Sequence, residues 1–158
     1  METASHMDFG ELVSNLPAGV YCVNNKGKFE YCNEDAARIF GYESLEKMKE
    51  VSFIDLCKDA RDYQALTEEL GKNGEVKNHP LQMKRKDGGI ITISVSCRLL
   101  RNNEGDIAGG GTFTDITEQE KFRQLLEQLL GIYQVKQREG KQIITYCNKT
   151  FAKMFGYS

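Results

Sequence analysis

Residues 19–44 read GVYCVNNKGKFEYCNEDAARIFGYES, and this stretch decides the fold. Two short runs of strand-forming residues flank the NNKG turn at residues 24–27, where Asn and Gly tolerate the positive φ that a tight hairpin requires. Asn33 stands where a helix N-cap is expected and Gly41 where a left-handed C-cap is expected, so a short helix is predicted between them. The stretch is therefore a β-hairpin that leads directly into a helix.

On the N-terminal side, apolar residues recur at the spacing of one helix face, which predicts a short amphipathic helix ended by Pro17. These residues are Phe9, Leu12, Val13 and Leu16. The sequence SHM at residues 5–7 resembles the remnant of a cloning site, so we set residues 1–6 apart as a tag remnant.

On the C-terminal side, the pattern predicts several short helices and then three more strands. Apolar residues at helical spacing extend to Gly71, where the last of these helices is predicted to end. The KDGG turn at residues 86–89 then joins two strand-like runs, and a fifth strand is predicted over residues 107–114. The order predicts an α+β fold: a five-stranded antiparallel sheet with short helices on one face, flanked by amphipathic helices.

The chain then begins again, because residues 122–157 repeat residues 9–42 element by element. GIYQV repeats GVYCV, YCN occurs in both copies, and MFGY repeats IFGY. The second copy stops after its helix, hairpin and next short helix, so its apolar residues lack the strands that would cover them. We expect a fragment of a longer chain, whose orphan segment docks on the first domain or on another copy of the chain.

Composition and charge narrow the class of protein. The 158 residues are 40% hydrophobic and 28% charged, as in a soluble globular domain. Because 21 basic residues are offset by 23 acidic ones, nucleic acid is not an expected partner. No apolar run approaches the ~20 residues that span a bilayer, so no membrane contact is expected. The five cysteines include no C-x-x-C pair, which favours a reducing compartment and a cytoplasmic location.

Three segments follow one another along the chain: the opening GVYCVNNKGKFEYCNEDAARIFGYES, the paired strands MKRKDGGIITISVSCRLL and the ending GDIAGGGTFTDITEQEK. In this order, they resemble the Per-Arnt-Sim (PAS) sensory domain. The resemblance covers residues 8–117, is followed by a linker or signalling helix at 118–130, and identifies 131–158 as the N-terminal part of a truncated second PAS domain. It implies that the short helices enclose a pocket over one face of the sheet, suited to a small ligand or cofactor.

The resemblance also assigns a signal relay to Asp115, Ile116 and Thr117. In the family, this Asp-Ile-Thr segment couples the last strand to an output helix. The residue types agree with that role, because Asp115 and Thr117 can each cap the helix that begins after them. The alternative interpretation is that both residues serve only as caps.

The alternation of strand residues, together with the family's arrangement, gives a candidate pocket wall. Its members are Tyr21, Val23, Leu56, Leu66, Ile91, Ile93 and Val95. The alternative is that these side chains fill the core and leave no ligand site. Analogy at the level of the fold does not by itself identify a ligand.

The sequence supports neither a known cofactor nor an enzyme. Haem-binding members of the family place a His on the helix before the third strand, and residues 58–70 contain none. The reactive-Cys motif of the flavin-binding light sensors is missing around Cys57, and the Trp used by another flavin subclass is absent from the chain. His79 has no second ligand at metal-binding spacing, so no metal site is predicted. The cofactor therefore stays unknown, and a redox pair of Cys22 and Cys32 is a minor alternative.

These observations predict a non-catalytic sensory module of a multidomain bacterial signalling protein, with a sensor histidine kinase as the expected parent. The module would bind a small ligand or a partner domain and relay the change through its C-terminal helix. A homodimer is expected, formed through the amphipathic helices or the orphan C-terminal segment. The alternative is a ligand-free PAS dimerisation module of a diguanylate cyclase, a phosphodiesterase or a transcription regulator.

Overall fold

The computed structural model describes residues 9–14, 16–101, 107–138 and 140–157. The chain divides into two compact units, unit 1 up to Ile116 and unit 2 from Thr117. Unit 1 contains α1 (Phe9–Ser14), β1 (Gly19–Val23), β2 (Phe29–Cys32), α2 (Glu34–Phe40), α3 (Leu45–Lys49), α4 (Phe53–Leu56), α5 (Ala60–Asn73), β3 (Glu75–Lys84), β4 (Ile90–Arg101) and β5 (Ile107–Asp115). Unit 2 contains α6 (Thr117–Leu129), β6 (Tyr133–Arg138), β7 (Lys141–Cys147) and α7 (Lys149–Met154).

The strands of unit 1 form one antiparallel five-stranded sheet in the order β2-β1-β5-β4-β3. With its helices, this sheet confirms the predicted α+β class. The first and last strands are neighbours, so that Tyr21 pairs with Gly111 and Val23 with Gly109. The predicted tag remnant 1–6 and the side chains of Phe9 and Leu12 lie outside the described residues.

A buried asparagine fixes the geometry of the first hairpin and helix. Asn33 is only 2% exposed, and its Oδ1 accepts the backbone N–H groups of Val20 (2.9 Å) and Ala36 (3.0 Å). Its amide nitrogen donates to the carbonyl oxygens of Ala18 (2.9 Å) and Val13 (3.2 Å). The predicted N-cap is therefore confirmed, and the same side chain also ties the chain ahead of β1 to α2.

Glycines end α2 and α5, and one of these two was assigned wrongly from the sequence. Gly41 is the predicted left-handed C-cap of α2, with φ 76°. The prediction that the last helix ends at Gly71 is wrong, because α5 continues to Asn73 and Gly74 (φ 73°) is its C-cap, donating to the carbonyl of Leu70. Both glycines suit a helix end in sequence, and the chain uses the second. Gly71 is left in the last turn of α5, three residues before the C-cap.

The core of unit 1 lies between the helices and one face of the sheet. Alternate strand residues point into it, as the two-residue period of a strand requires. Its largest fully buried apolar side chains are those of Phe40, Phe53, Phe113, Met48, Leu81, Met83, Ile93 and Val95.

Unit 2 repeats the first four elements of unit 1 down to their hydrogen bonds. Oδ1 of Asn148 accepts the backbone N–H groups of Ile132 (3.0 Å) and Phe151 (2.9 Å). The Asn148 amide nitrogen donates to the carbonyl oxygens of Glu127 (2.6 Å) and Leu130 (2.7 Å). The same four-bond arrangement at the equivalent position agrees with the predicted repeat.

The face that unit 1 buries is exposed in unit 2. By strand register, Tyr133 of β6 corresponds to Tyr21 of β1, yet Tyr133 is 53% exposed and Tyr21 only 5%. Phe155 corresponds to Phe40, and their exposed fractions are 65% and 0%. Within the described residues of unit 2, the helices α3–α5, which cover this face in unit 1, and the strands β3–β5, which extend the sheet, have no counterpart.

Candidate functional site

A cavity of about 240 Å³ lies between α5 and one end of the sheet in unit 1. Residues 63, 66, 67, 70 and 71 of α5 line it, and this spacing places them on one face of the helix. The remaining walls come from β1 and the turn after it, from α4, and from the paired strands β4 and β5. The lining residues are Tyr21, Val23, Asn24, Asn25, Phe53, Tyr63, Leu66, Thr67, Leu70, Gly71, Cys97, Leu99 and Gly109.

The predicted pocket wall divides between this cavity and the core. Tyr21, Val23 and Leu66 line the cavity. The rest are buried core residues outside its lining: Leu56, Ile91, Ile93 and Val95. On β4 the cavity is lined from Cys97 onward, and because a strand rises about 3.3 Å per residue, Ile93 is about 13 Å from Cys97. Alternation therefore gives the correct face of the strand but not the position along it.

Aromatic rings form one wall of the cavity. The ring of Tyr21 stacks on that of Phe53, with centroids 5.2 Å apart and 28° between their planes. Tyr63 lies next to Phe53, with centroids 6.0 Å apart. Phe53 and Tyr63 were not predicted from the sequence, whereas Leu56, three residues after Phe53 on α4, was predicted and lies outside the lining. The helical spacing of Tyr63 and Leu66 was the signal that could have found Tyr63.

The cavity offers neutral hydrogen-bonding groups. Burial raises the pKa of Tyr21 well above its ordinary value, and burial also raises the pKa of Tyr63. The pKa of Cys97 is likewise raised by burial, and its thiol interacts with the Tyr21 hydroxyl. All three groups are therefore protonated at neutral pH. Among the described residues, no charged side chain lines the cavity.

The predicted relay segment is anchored to the sheet. Nη2 of Arg85, in the turn after β3, donates to Oδ2 of Asp115 at 2.7 Å, and both side chains are partly buried. The backbone N–H of Ile116 donates to the carbonyl of Thr92 on β4 (2.9 Å). Thr117 is the first residue of α6. Strand β5 thus lines the cavity with Gly109 near its beginning and reaches the predicted relay segment at its last residue, Asp115.

The cysteines do not form the redox pair considered from the sequence. Tyr21 pairs with Cys32 and Cys22 pairs with Tyr31, so Cys22 and Cys32 face opposite sides of the sheet. All five cysteines are free. Burial raises the pKa of Cys57 to about 12, which keeps this thiol protonated and unreactive.

His79 contacts a carboxylate, and the described side chains form no metal-binding cluster. His79 lies inside β3, where its Nδ1 is 3.1 Å from Oε2 of Glu69 on α5. No cluster of three or more His, Cys, Asp or Glu side chains able to hold a metal ion occurs in the part of the chain that the structure describes. Across the same residues, no helix is both long and apolar enough to cross a bilayer.

Comparison with known families identifies the class of protein. Residues 17–118 match a PAS domain model, and residues 120–158 match a second PAS domain model. The chain belongs to the PAS domain family. Its first domain is followed by a truncated second one, as the repeat predicted, and it is a sensory domain of the kind found in signalling proteins. No curated protein matches the chain in sequence.

Solved PAS domains share the fold. A PAS domain from a two-component sensor histidine kinase is 18% identical, with a TM-score of 0.57 over 66% of this chain and 89% of that one. The PAS domain of a LuxR-family transcriptional regulator from Burkholderia thailandensis, in complex with ethanol, is 23% identical, with a TM-score of 0.58 over 70% and 98%. The PAS domain of an HTR-like protein from Haloarcula marismortui is 22% identical, with a TM-score of 0.53 over 66% and 86%. At these identities the likeness shows the fold.

Proposed function

We propose that unit 1 is a ligand sensor, in which the cavity binds a small molecule and β5 carries the resulting change to Asp115–Thr117 and on to α6. The observation that carries this proposal is the continuity of β5 from Gly109, in the cavity wall, to Asp115, in the ion pair with Arg85. A packed strand moves as a rigid element, so a displacement at its cavity end reaches its other end.

The expected ligand is small, uncharged and largely apolar, with an aromatic ring and one or two hydrogen-bonding groups. A cavity of about 240 Å³ is below the ~300–1,000 Å³ of typical drug-sized sites. A charged ligand would lose hydration without gaining a partner charge, whereas the rings of Tyr21 and Phe53 favour an aromatic body. The ethanol complex of the LuxR-family PAS domain supports small, uncharged ligands on this fold.

We propose a sensor histidine kinase as the parent protein, a cytoplasmic location and a non-catalytic role for this module. The kinase PAS neighbour supports the first proposal. The five free cysteines support a reducing compartment. The non-catalytic role includes Cys97 of the cavity, because burial raises the pKa of this thiol and a protonated thiol is a poor nucleophile.

Indole fluorescence tests the ligand proposal directly. The chain contains no Trp, so the emission of added indole is seen against tyrosine alone. Saturable binding to the 158-residue protein, competed by phenol and lost in Phe53→Ala, is the expected result. Ile54→Ala, which changes an exposed neighbour on α4, is the matched control and should bind as the wild type does. Absence of saturable binding would contradict the proposed ligand class.

A ligand-free dimerisation module is the second candidate function. The observation that favours it is the apolar stripe of α6, since Phe122, Leu125 and Leu129 are all exposed and recur at the spacing of one helix face. Native mass spectrometry and an absorption spectrum of the purified protein separate the two functions. Bound mass or a chromophore supports a sensor, whereas an unmodified dimer that dissociates in Leu125→Glu, with no indole binding, supports a dimerisation module.

A further inference from the structure

Two glycines line the cavity although their backbone conformation does not require glycine. Gly71 is an exposed residue in the last turn of α5, where alanine is the better helix former, and Gly109 lies in β5. Neither is among the glycines with positive φ. Gly74, not Gly71, ends the helix, so Gly71 has no capping role.

Packing does not require these glycines either. A Cβ atom at Gly71 would meet nothing within 4 Å, and at Gly109 it would lie 3.6 Å from Cγ2 of Val23, an ordinary contact. Gly111, on the same strand, is different, because a Cβ there would lie 2.0 Å from the carbonyl oxygen of Ser96. The close approach of β4 requires glycine at position 111 but not at position 109.

The neighbours of both glycines, across the sheet for Gly109 and along one face of α5 for Gly71, line the cavity with side chains. Gly109 pairs with Val23 on β1 and with Leu99 on β4, so it is a gap in a row across three strands. Gly71 is the last lining residue on its face of α5. A Cβ at Gly109 would lie 3.9 Å from Cδ2 of Leu70, which adjoins Gly71, so the two gaps are at the same end of the cavity.

We infer that Gly71 and Gly109 are specificity-determining residues: the space left by their missing side chains holds part of the ligand and sets its largest size. This inference rests on the proposed function, because it assumes that the cavity is a ligand site. With glycine at both positions, the cavity admits a bicyclic aromatic such as indole. With larger side chains there, it would admit only a single ring.

The test compares indole and phenol as probes on the 158-residue protein, by fluorescence titration and by calorimetry. Gly109→Leu should weaken indole binding by about 10-fold or more, and Gly109→Ala should weaken indole more than phenol, changing their affinity ratio by about 3-fold or more. Thr112→Leu adds the same side chain to the exposed face of β5 and should leave both affinities within about 2-fold. A merely structural role would not change the ratio of the two affinities.

Thermal unfolding gives a readout that needs no ligand. Gly71→Ala should raise the melting temperature by about 4 °C, because alanine is the better helix former, and Gly109→Ala should leave it within about 2 °C. Gly111→Ala should lower it markedly. If Gly71→Ala or Gly109→Ala is as destabilising as Gly111→Ala, the fold itself needs these glycines and the inference is wrong.

The two proposals fail in distinguishable ways. If the wild type does not bind indole, the proposed ligand class is wrong, and this inference with it. If the wild type binds indole and the Gly109 variants bind indole and phenol as tightly as the wild type does, the proposed function stands and the size assignment is overturned.

Discussion

At the scale of single residues, one amide side chain organises the start of each unit. Asn33 uses both its oxygen and its nitrogen, and each makes two bonds to the backbone. Serine or aspartate could also cap α2, but neither offers the two N–H donors that reach the carbonyls ahead of β1. The choice of asparagine therefore follows from the hairpin and the helix together.

Replacing Asn33 by alanine should destabilise unit 1 by about 3 kcal/mol, because the helix loses its cap and buried backbone groups lose their partners. Urea unfolding followed by circular dichroism measures the change. Asn73→Ala, at an exposed position near the end of α5, is the control and should change stability by less than about 0.5 kcal/mol. Equal effects of the two substitutions would show that the four hydrogen bonds contribute nothing specific.

The buried thiol of Cys57 should lower the free energy of unfolding at alkaline pH. Its folded pKa is raised from an ordinary 9.0 to about 12 by burial, so its contribution is fully present below pH 9 and is lost as the pH rises towards 12. Between these values the slope from this thiol is at most about 1.4 kcal/mol per pH unit. Cys57→Ser keeps a donor for the Phe53 carbonyl and should make the dependence of unfolding free energy on pH less steep. An unchanged slope would show that Cys57 is not a source of it.

At the scale of elements, β5 runs from the cavity to the proposed relay segment, and its far end is held by a side-chain pair and a backbone bond. The ion pair of Arg85 with Asp115 joins the turn after β3 to the end of β5. The bond from Ile116 to Thr92 extends the pairing of β4 and β5 by one residue. Residues 115–116 of the proposed relay segment are therefore held to the sheet up to the start of α6.

A double-mutant cycle with Arg85→Ala and Asp115→Ala should give a coupling energy of about 0.5–1 kcal/mol, modest because both groups are partly exposed. The exposed pair of Glu118 and Lys121 is the control and should couple less. Hydrogen exchange at the Ile116 amide should accelerate in Asp115→Ala. An unchanged exchange rate would mean that the ion pair does not hold the relay segment.

The elements also show which features the sequence could predict. Caps, turns and strand faces depend on neighbours in the chain, so Asn33, Gly41 and the alternation on β4 were recognisable from local chemistry. Which end of β4 meets the cavity depends on its register with β5 and on where α5 lies, and neither is local. This is why Ile91, Ile93 and Val95 were chosen and Cys97 and Leu99 were missed. The two possible ends of α5 were equivalent in sequence for the same reason.

At the scale of the whole molecule, the chain contains one complete PAS domain and the first elements of another. In unit 1 the apolar face of the hairpin is covered by the helices that follow it, and the later strands extend the sheet beside it. In unit 2 the corresponding face is largely exposed, so less apolar area is removed from water per residue ordered. The two units should therefore differ widely in stability.

Backbone amides of β6 and β7 should exchange with solvent about 100-fold faster, or more, than those of β1 and β2. Hydrogen exchange followed by mass spectrometry on the 158-residue protein measures both hairpins in one sample. Because the hairpins share a fold and a capping asparagine, each strand of unit 1 is the internal control for its counterpart. Equal protection of the two hairpins would contradict the prediction and show that the apolar face of unit 2 is covered in solution.

The pairing of β1 with β5 also determines when the sheet of unit 1 can close during synthesis. Tyr21 leaves the ribosome long before its partner Gly111, and at roughly 5–20 residues per second the first hairpin waits on the order of ten seconds for the strand that completes the centre of the sheet. Contacts this distant along the chain close slowly, since the loop between them must be ordered first. During synthesis, the nascent hairpin therefore presents Tyr21 and Val23 to water or to chaperones, and the sheet closes only when β5 emerges.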